Sequence, residues 1–441
     1  MDEKYEIRLY DTPLVRFDFI GGSLSDAPVK NVEILGSDPV VFPLDLELTS
    51  AGVYRWLGRR VIPKNREFVE QILLTFGLMT NNMKGIIKVC KGLSLNDSYW
   101  VVPVDFEGTF EQYNLYENRF SEILALVAYT GVNASDPAFS TSPELTTNGM
   151  LPKAWRFIEH DGIYLYKGGT SGAANTGKEP YSEFYASQVA TRMGLNAIKY
   201  DLEQWKGILA SKCKLFTDID TAYIPAGRII TSGGLKAVAD YYDSLGQSFS
   251  DEIRDMLVFD ALIYNTDRHF GNFGVLRDSR SGSIIAPAPI FDNGMSLFNY
   301  ATHDSFRDLD EYSKTRLPAY DDVSYEAIVK TFVTQRQVEQ LRKMINFKFT
   351  RHFQYNLPEE RLVALENHLQ KRMRQLLEIA RVRDKSKAKS KVKTATKATR
   401  EKDLIGDLNR IKRQQAEQKA KEPVGAASQT LAKRKSKGSE R

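Results

Sequence analysis

The sequence predicts an α+β fold, on three observations. Short alternating apolar runs bounded by turn residues recur through the first 230 positions. Stripes at helical spacing dominate after residue 325, the last of them Leu362, Leu365, Leu369, Met373, Leu376 and Leu377. Between these regions, an apolar helical run from about Ser250 gives way directly to a polar loop and then to a hairpin ending at Phe291. The chain has 441 residues, 42 % of them hydrophobic, which is enough for two or three domains and a substantial core.

Taken in order, Tyr5–Tyr10 and Leu14–Phe19 around Asp11-Thr12-Pro13 predict a hairpin. Leu44–Leu57 predicts a helix with Trp56 and Leu57 inward. A second helix runs from Asn65, carries Phe68, Val69, Ile72, Leu73 and Phe76, and stops at Gly77. Ser94-Leu95-Asn96-Asp97-Ser98-Tyr99-Trp100 reads as a turn with its aromatic rings in the core, or else as a recognition loop. Residues 113–130 read as a helical connection, and 131–150 turn polar, which closes an N-terminal accessory domain at 1–130. Lys153–Ile158 and Ile163–Lys167 form a hairpin about Glu159-His160-Asp161-Gly162. A helix follows over Pro180–Met193, with proline in its first turn and Gly194 after its end. Strands at 209–217 and 222–230 complete a mixed segment at 131–230. The segment 231–383 holds the helix from Ser250, strands Phe273–Leu276 and Ser283–Phe291, and helices at 325–333, 338–349 and 359–380. Residues 384–441 are rich in Lys, Ala, Ser and Thr and are expected to be a disordered basic tail, too poor in apolar surface to offset ordering entropy.

The chemistry concentrates in Asn265-Thr266-Asp267-Arg268-His269-Phe270-Gly271-Asn272 and Phe291-Asp292-Asn293-Gly294. Magnesium-dependent phosphoryl transfer needs a carboxylate for the acceptor hydroxyl, and an amide oxygen and a second carboxylate for the metal. Asp267 and Asn272 are five apart, the spacing of the Asp and Asn in a kinase catalytic loop, and Asp292 lies twenty further on. The intervening hairpin folds the chain back so that the three can converge. The D-x-x-x-x-N pattern alone is common; with the hairpin and the second Asp it becomes specific. Lys167 ends an apolar strand, where a cation can reach nucleotide phosphates rather than simply face water. Glu183 or Glu179 on the next helix could pair with it. There is no G-x-x-x-x-G-K-[ST] and no G-x-G-x-x-G. The loop before Lys153, rich in Ser, Thr and Asn with Gly149 as its glycine, could place backbone N–H groups around phosphates or be an ordinary linker.

N-T-D-R-H-F-G-N with F-D-N-G resembles the catalytic segment of the HipA-like serine/threonine kinases, and D-R-H-x-x-N also resembles phosphatidylinositol kinases. S-L-N-D-S-Y-W resembles N-terminal regions of some HipA-like proteins, and K-E-P-Y-S-E-F-Y, which favours Glu183 over Glu179, resembles the same family. The resemblance covers residues 140–380 well, 1–120 loosely, and not the tail. It implies a two-lobed protein-kinase-like architecture, with a mixed small lobe at 131–230, a helical large lobe at 231–383, and ATP between them. It assigns Asp267 as catalytic base, Asn272 and Asp292 as Mg²⁺ ligands, Lys167 as phosphate clamp supported by Glu183, and Gly149 to the phosphate loop. Phe216, in the link between lobes, is placed against adenine. Arg268 and His269 are expected to stabilise the loop, with contact to the γ-phosphate as an alternative for His269. In the family a serine of the phosphate loop can be self-phosphorylated, which ejects the loop; Ser140, Thr141, Ser142, Thr146 and Thr147 are the candidates here. The implied product is phosphoserine or phosphothreonine on a protein. The alternatives are a lipid or small-molecule kinase, and a kinase-fold binding protein that acts through its tail. The family's toxins pair with a small DNA-binding antitoxin, an expected partner.

Charge is divided. Residues 381–441 carry 20 Lys or Arg against 7 Asp or Glu, a net of +13 within a total of +5, so the preceding 380 residues carry −8. The tail is suited to an acidic partner or nucleic acid through non-specific charge, without aromatic residues for stacking on bases. Two cysteines, Cys90 and Cys213, offer neither a disulfide framework nor metal-ligand spacing. That usage, with no apolar leader or membrane-length apolar run, predicts a cytoplasmic protein without transmembrane association.

Overall fold

In the computed structural model the N-terminal alternation becomes an antiparallel sheet. Its strands are β1 (Glu3–Leu9), β2 (Thr12–Phe19), β3 (Val29–Ile34) and β4 (Tyr99–Pro103), in the order β3-β2-β1-β4. The structure describes residues 3–20, 28–133, 142–173, 175–320, 323–384 and 410. Tyr5, Ile7, Val15 and Phe17 bury one face of the sheet against α1 (Ser50–Gly58), α2 (Val69–Leu74) and α3 (Met83–Cys90). Both expected helices are shorter than their stripes. The first waits until Ser50, where the Thr49 hydroxyl accepts the Gly52 N–H at 3.0 Å. The second waits until Val69, because Phe68 sits in the left-handed region at φ +58°. Helix α3 was not expected: only Ile86, Ile87 and Cys90 bury, and Gly85 weakens the local signal. The connection at 113–130 divides into α4 (Phe110–Tyr113) and α5 (Glu122–Thr130).

A second antiparallel sheet has the order β5-β6-β8-β7, with β5 (Lys153–Ile158), β6 (Gly162–Lys167), β7 (Tyr200–Trp205) and β8 (Ile208–Lys214). Helix α6 (Glu179–Met193) packs on β7 and β8. A third sheet joins β9 (Thr221–Pro225), β10 (Gly274–Asp278) and β11 (Ile284–Pro287), in the order β11-β10-β9. The strand expected over 222–230 therefore ends at Pro225, and Ala226–Ile229 is a single helical turn, α7. The unexpected β7 reads YDLEQW, too polar to announce a strand. Helix α8 (Gly234–Leu245) is equally hidden behind Ser232-Gly233.

The largest core surrounds α9 (Gln247–Ile263), which buries residues on every side, including Asp255 and Asp260. Around it pack α6, α8, α11 (Tyr325–Phe332) and the helix over 359–380, where Leu362, Leu365, Leu369, Met373 and Leu376 bury as their spacing predicts. The short α10 (Leu309–Ser313) and α12 (Gln335–Arg342) complete the set. All of this belongs to one unit, Met1–Ala380; of the second unit, Arg381–Arg441, residues 381–384 are helical and only 410 is otherwise described. The expectations for the basic tail lie outside the described residues. Among the described residues no helix is long and apolar enough to cross a membrane.

One buried ion pair fastens the segment before α2 to the start of β5. Arg66 pairs with Glu144, and its Nη2 also donates to the Lys153 carbonyl at 3.0 Å, while Glu144 Oε1 accepts the Trp155 N–H at 2.7 Å. Both side chains are almost wholly withdrawn from solvent. Arg66→Ala leaves that carboxylate buried and unpaired, so urea denaturation should show a loss of ~3–5 kcal/mol.

Candidate active site

Strand β6 delivers Lys167 to a face that it shares with its cross-strand neighbours Lys153 on β5 and Ser211 on β8. Helix α6 lies against this sheet, and its buried Glu183 accepts the Lys167 Nζ–H at 3.0 Å through Oε1. Its other oxygen accepts the Asn293 N–H at 2.7 Å. Lys167 also pairs with Asp292, whose N–H donates to the Tyr200 hydroxyl at 3.2 Å. Asp292 itself stands in the left-handed region at φ +58°. Burial disfavours the Lys167 ammonium, but the carboxylates of Asp292 and Glu183 outweigh it, and its pKa lies above the ordinary lysine value. Burial would likewise raise Asp292, yet Lys167, with Lys153 and Arg268 behind it, brings it down to about 2. Glu183 shifts the other way, because its complete burial exceeds what Lys167 returns. Glu179 is engaged elsewhere: it accepts from the Thr170 hydroxyl at 2.7 Å and the Tyr300 hydroxyl at 2.8 Å.

The second half of the site hangs from the end of α9. Tyr264 turns the chain at φ +54°, and Asn265 Oδ1 accepts the Asp267 N–H at 3.2 Å. Arg268, buried, holds the loop together. Its Nε meets Asp260 Oδ2 at 3.0 Å and its Nη2 meets Asp260 Oδ1 at 3.2 Å. Its Nη1 donates to the Asn272 carbonyl at 3.1 Å and to the Phe291 carbonyl, and its Nη2 donates to Asn293 Oδ1 at 2.5 Å. One guanidinium thus ties α9, the 265–272 loop and the 291–293 segment together. Asn272 Nδ2 donates to the Asp267 carbonyl at 3.0 Å, which fixes the amide by its nitrogen and leaves its oxygen as the group a cation could take. Asp267 is half-buried with its pKa raised, by burial first and also by Asp292, against the pull of His269 and Lys167. His269 is exposed, and its Nδ1 accepts the Gly271 N–H at 3.0 Å.

The structure therefore gathers Asp267, Asn272, Asp292, Lys167 and Glu183 into one cluster, with His269 at its rim. Phe216 lies in the link after β8; its ring packs 5.4 Å from Phe291 and 5.5 Å from Tyr223. Gly149, at φ +93°, lies so close to Lys153 that a Cβ there would come within 2.2 Å of Nζ. Lys153 was missed. It is buried, donates to the Asn148 carbonyl at 2.9 Å, and is lowered to about 7 by burial and by the charges of Lys167 and Arg66. Writing out the hairpin register sets it directly opposite Lys167. Of the hydroxyls in the preceding loop, Ser140 and Thr141 lie outside the described residues. Ser142 is buried, Thr146 donates to the Leu93 carbonyl at 2.8 Å, and Thr147 donates to the Pro143 carbonyl at 2.7 Å.

Among the described residues no group of three or more His, Cys, Asp or Glu forms a metal cage. Two carboxylates, an amide oxygen and two lysines instead suit a hard cation that arrives with phosphate, since magnesium takes one or two carboxylates and completes its shell with phosphate and water.

The architecture is a mixed α+β fold like that of HipA. Among solved structures the chain is similar to HipA of Shewanella oneidensis, in its complex with HipB and operator DNA, at 13 % identity, 86 % coverage of this chain, 99 % of that chain and a TM-score of 0.50. It is also similar to the Helicobacter pylori proinflammatory kinase CtkA, at 19 % identity, 54 % coverage of this chain, 95 % of that chain and a TM-score of 0.41. No protein-family model matches the chain. No curated protein matches it either.

Arg268→Ala should unfold ~3–5 kcal/mol more easily in urea, because buried Asp260 loses its only cationic partner among the described residues and keeps just the Asn265 amide. Arg268→Lys keeps the charge but not the fork that reaches three segments, so it should recover only part of the loss.

Proposed function

We propose that this chain is an ATP- and Mg²⁺-dependent serine/threonine protein kinase of HipA-like type. The observation that carries the reading is the convergence of Lys167, Glu183 and Asp292 with the Asp267–Asn272 loop, all held by one buried arginine. Bound Mg²⁺ would neutralise charge on the phosphates, held by Asp292 and the Asn272 amide oxygen. Lys167 exchanges its Asp292 contact for phosphate oxygens while Glu183 keeps it oriented. Gly149 lies in the phosphate loop, its missing Cβ making room for Lys153, which adds a second cation. Phe216 flanks the adenine, and His269 reaches the γ-phosphate from the loop's rim. Asp267 accepts the acceptor hydroxyl's proton as that oxygen bonds to phosphorus and the β–γ bridge breaks toward ADP. The raised Asp267 pKa suits a base. The HipA likeness extends the proposal to a small DNA-binding antitoxin as partner and to self-phosphorylation in the loop before β5.

Incubation with radiolabelled ATP and Mg²⁺ tests the reading. Label should appear on serine or threonine of the wild-type chain, and Asp267→Ala should lower transfer ~100-fold or more. Wild-type protein that neither transfers label nor binds ATP in a magnesium-dependent way sinks it.

Lys153 sets a pH dependence. Burial and the charges of Lys167 and Arg66 lower its pKa to about 7; phosphate beside it would raise that value, so binding above neutral pH takes up a proton. Nucleotide affinity should fall as pH rises from 7 toward 9, by up to ~10-fold per unit. Calorimetry in buffers of differing ionisation enthalpy should show proton uptake at pH 8.5 that Lys153→Met abolishes.

A further inference from the structure

Beside the Asp267 loop lies a cavity of about 250 Å³ whose residues, His269 apart, the chemistry above does not use. Its walls include Leu235 from the first turn of α8, His269 and Phe270 from the loop, and Ala319, Tyr320 and Val323 from the residues before α11. The Phe270 and Tyr320 rings stack at 5.6 Å, and Leu235, Phe270, Tyr320 and Val323 all pack against the large core. The Tyr320 hydroxyl is buried without a hydrogen-bond partner among the described residues.

Size and position identify the occupant. The volume is below the ~300–1,000 Å³ of sites that hold whole small ligands, and suits one large side chain. The His269 N–H donates to the Asp267 carbonyl at 2.9 Å, so the cavity's edge is continuous with the residue proposed as base. A residue one to three positions from a phosphorylated Ser or Thr lies within ~4–11 Å of it along the chain. Resting on the kinase reading, we infer that this cavity is the acceptor-recognition subsite: it takes a single large apolar side chain that flanks the phosphorylated residue of a protein substrate.

The test uses the full chain with Mg²⁺, radiolabelled ATP and degenerate Ser/Thr peptide libraries in which each flanking position is scanned. One position should favour Leu, Ile, Met or Phe over Gly or Asp by ~10-fold or more, as filling an apolar pocket does. Ala319→Trp, which fills the cavity, should reduce that ratio to within ~2-fold, while Val323→Ala, which widens it, should shift the preference toward Phe and Trp. The readout is a ratio of rates within one preparation, so partial loss of folded protein does not move it. A library without apolar preference, or a preference unchanged by both variants, overturns the subsite. So does an Ala319→Trp effect on oligomeric state in place of selectivity, which would assign the cavity to a second copy. Self-phosphorylation without transfer to any peptide overturns the subsite and leaves the kinase reading standing. Absence of transfer of every kind overturns the kinase reading, and the subsite falls with it.

Discussion

A cation withdrawn from water must be paired, and that constraint shapes this molecule more than any other. Stripping an ammonium or guanidinium of hydration costs several kcal/mol, recovered only where carboxylates and carbonyls meet it in good geometry. Lys167, Arg268 and Arg66 each meet that demand with groups far away in sequence. Lys167 reaches Glu183 and Asp292, Arg268 reaches Asp260 and Asn293, and Arg66 reaches Glu144 and the Lys153 carbonyl. Each is therefore a cross-link between elements that apolar packing alone would leave free to slide. Lys153 is the exception among these four. Among the described residues its ammonium donates only to the Asn148 carbonyl, and burial with the nearby charges of Lys167 and Arg66 lowers its pKa. Three cations thus fix geometry through ion pairs, while the fourth has no carboxylate of its own.

What the sequence disclosed follows from this. That Asp267, Asn272 and Asp292 come together was legible because the hairpin between them is local and folds the chain back on itself. Lys167 was legible as the end of a strand, and Glu183 as a carboxylate early in the helix that follows. Lys153 was not, because its significance is a pairing across a strand and appears only once the register is known. Asp260 was hidden for another reason: it sits in a mostly apolar helical run, and nothing in that run says that Arg268 will turn back to it. The misplaced boundaries have equally local causes. Phe68 breaks its helix by a backbone angle, not by composition, and β7 is a strand through pairing with β8 despite its polar residues.

The segment Ser94–Trp100 shows how a correct packing expectation can still be incomplete. Trp100 is buried among Phe106, Phe110 and Tyr113, as a turn with aromatic residues in the core should be. Its backbone, however, is committed to the link between β8 and β9. The Leu95 carbonyl accepts the Thr217 hydroxyl at 2.5 Å, the Asn96 carbonyl accepts the Tyr223 N–H at 2.7 Å, and the Ile219 carbonyl accepts from Ser98 at 2.5 Å and from Tyr10 at 3.0 Å. Arg277 on β10 extends the attachment, donating to the Phe42 carbonyl at 3.0 Å and the Tyr99 hydroxyl at 3.2 Å.

That attachment decides where the site can yield. In a two-lobed fold the link between sheet and helices is the natural place to bend, and here it is held on one side by the N-terminal sheet and on the other by Phe216 against Phe291. Bending it would break several hydrogen bonds whose partners are largely buried and could not readily turn to water. The backbone able to move at lower cost lies at the cleft's edges. Gly149, at φ +93°, and Gly172, at φ +95° with nothing within 4 Å of an added Cβ, sit in turns that a side chain would strain. The paired charges therefore sit on a braced frame, which holds Lys167 and Asp292 in contact and the Asp267 loop beside them.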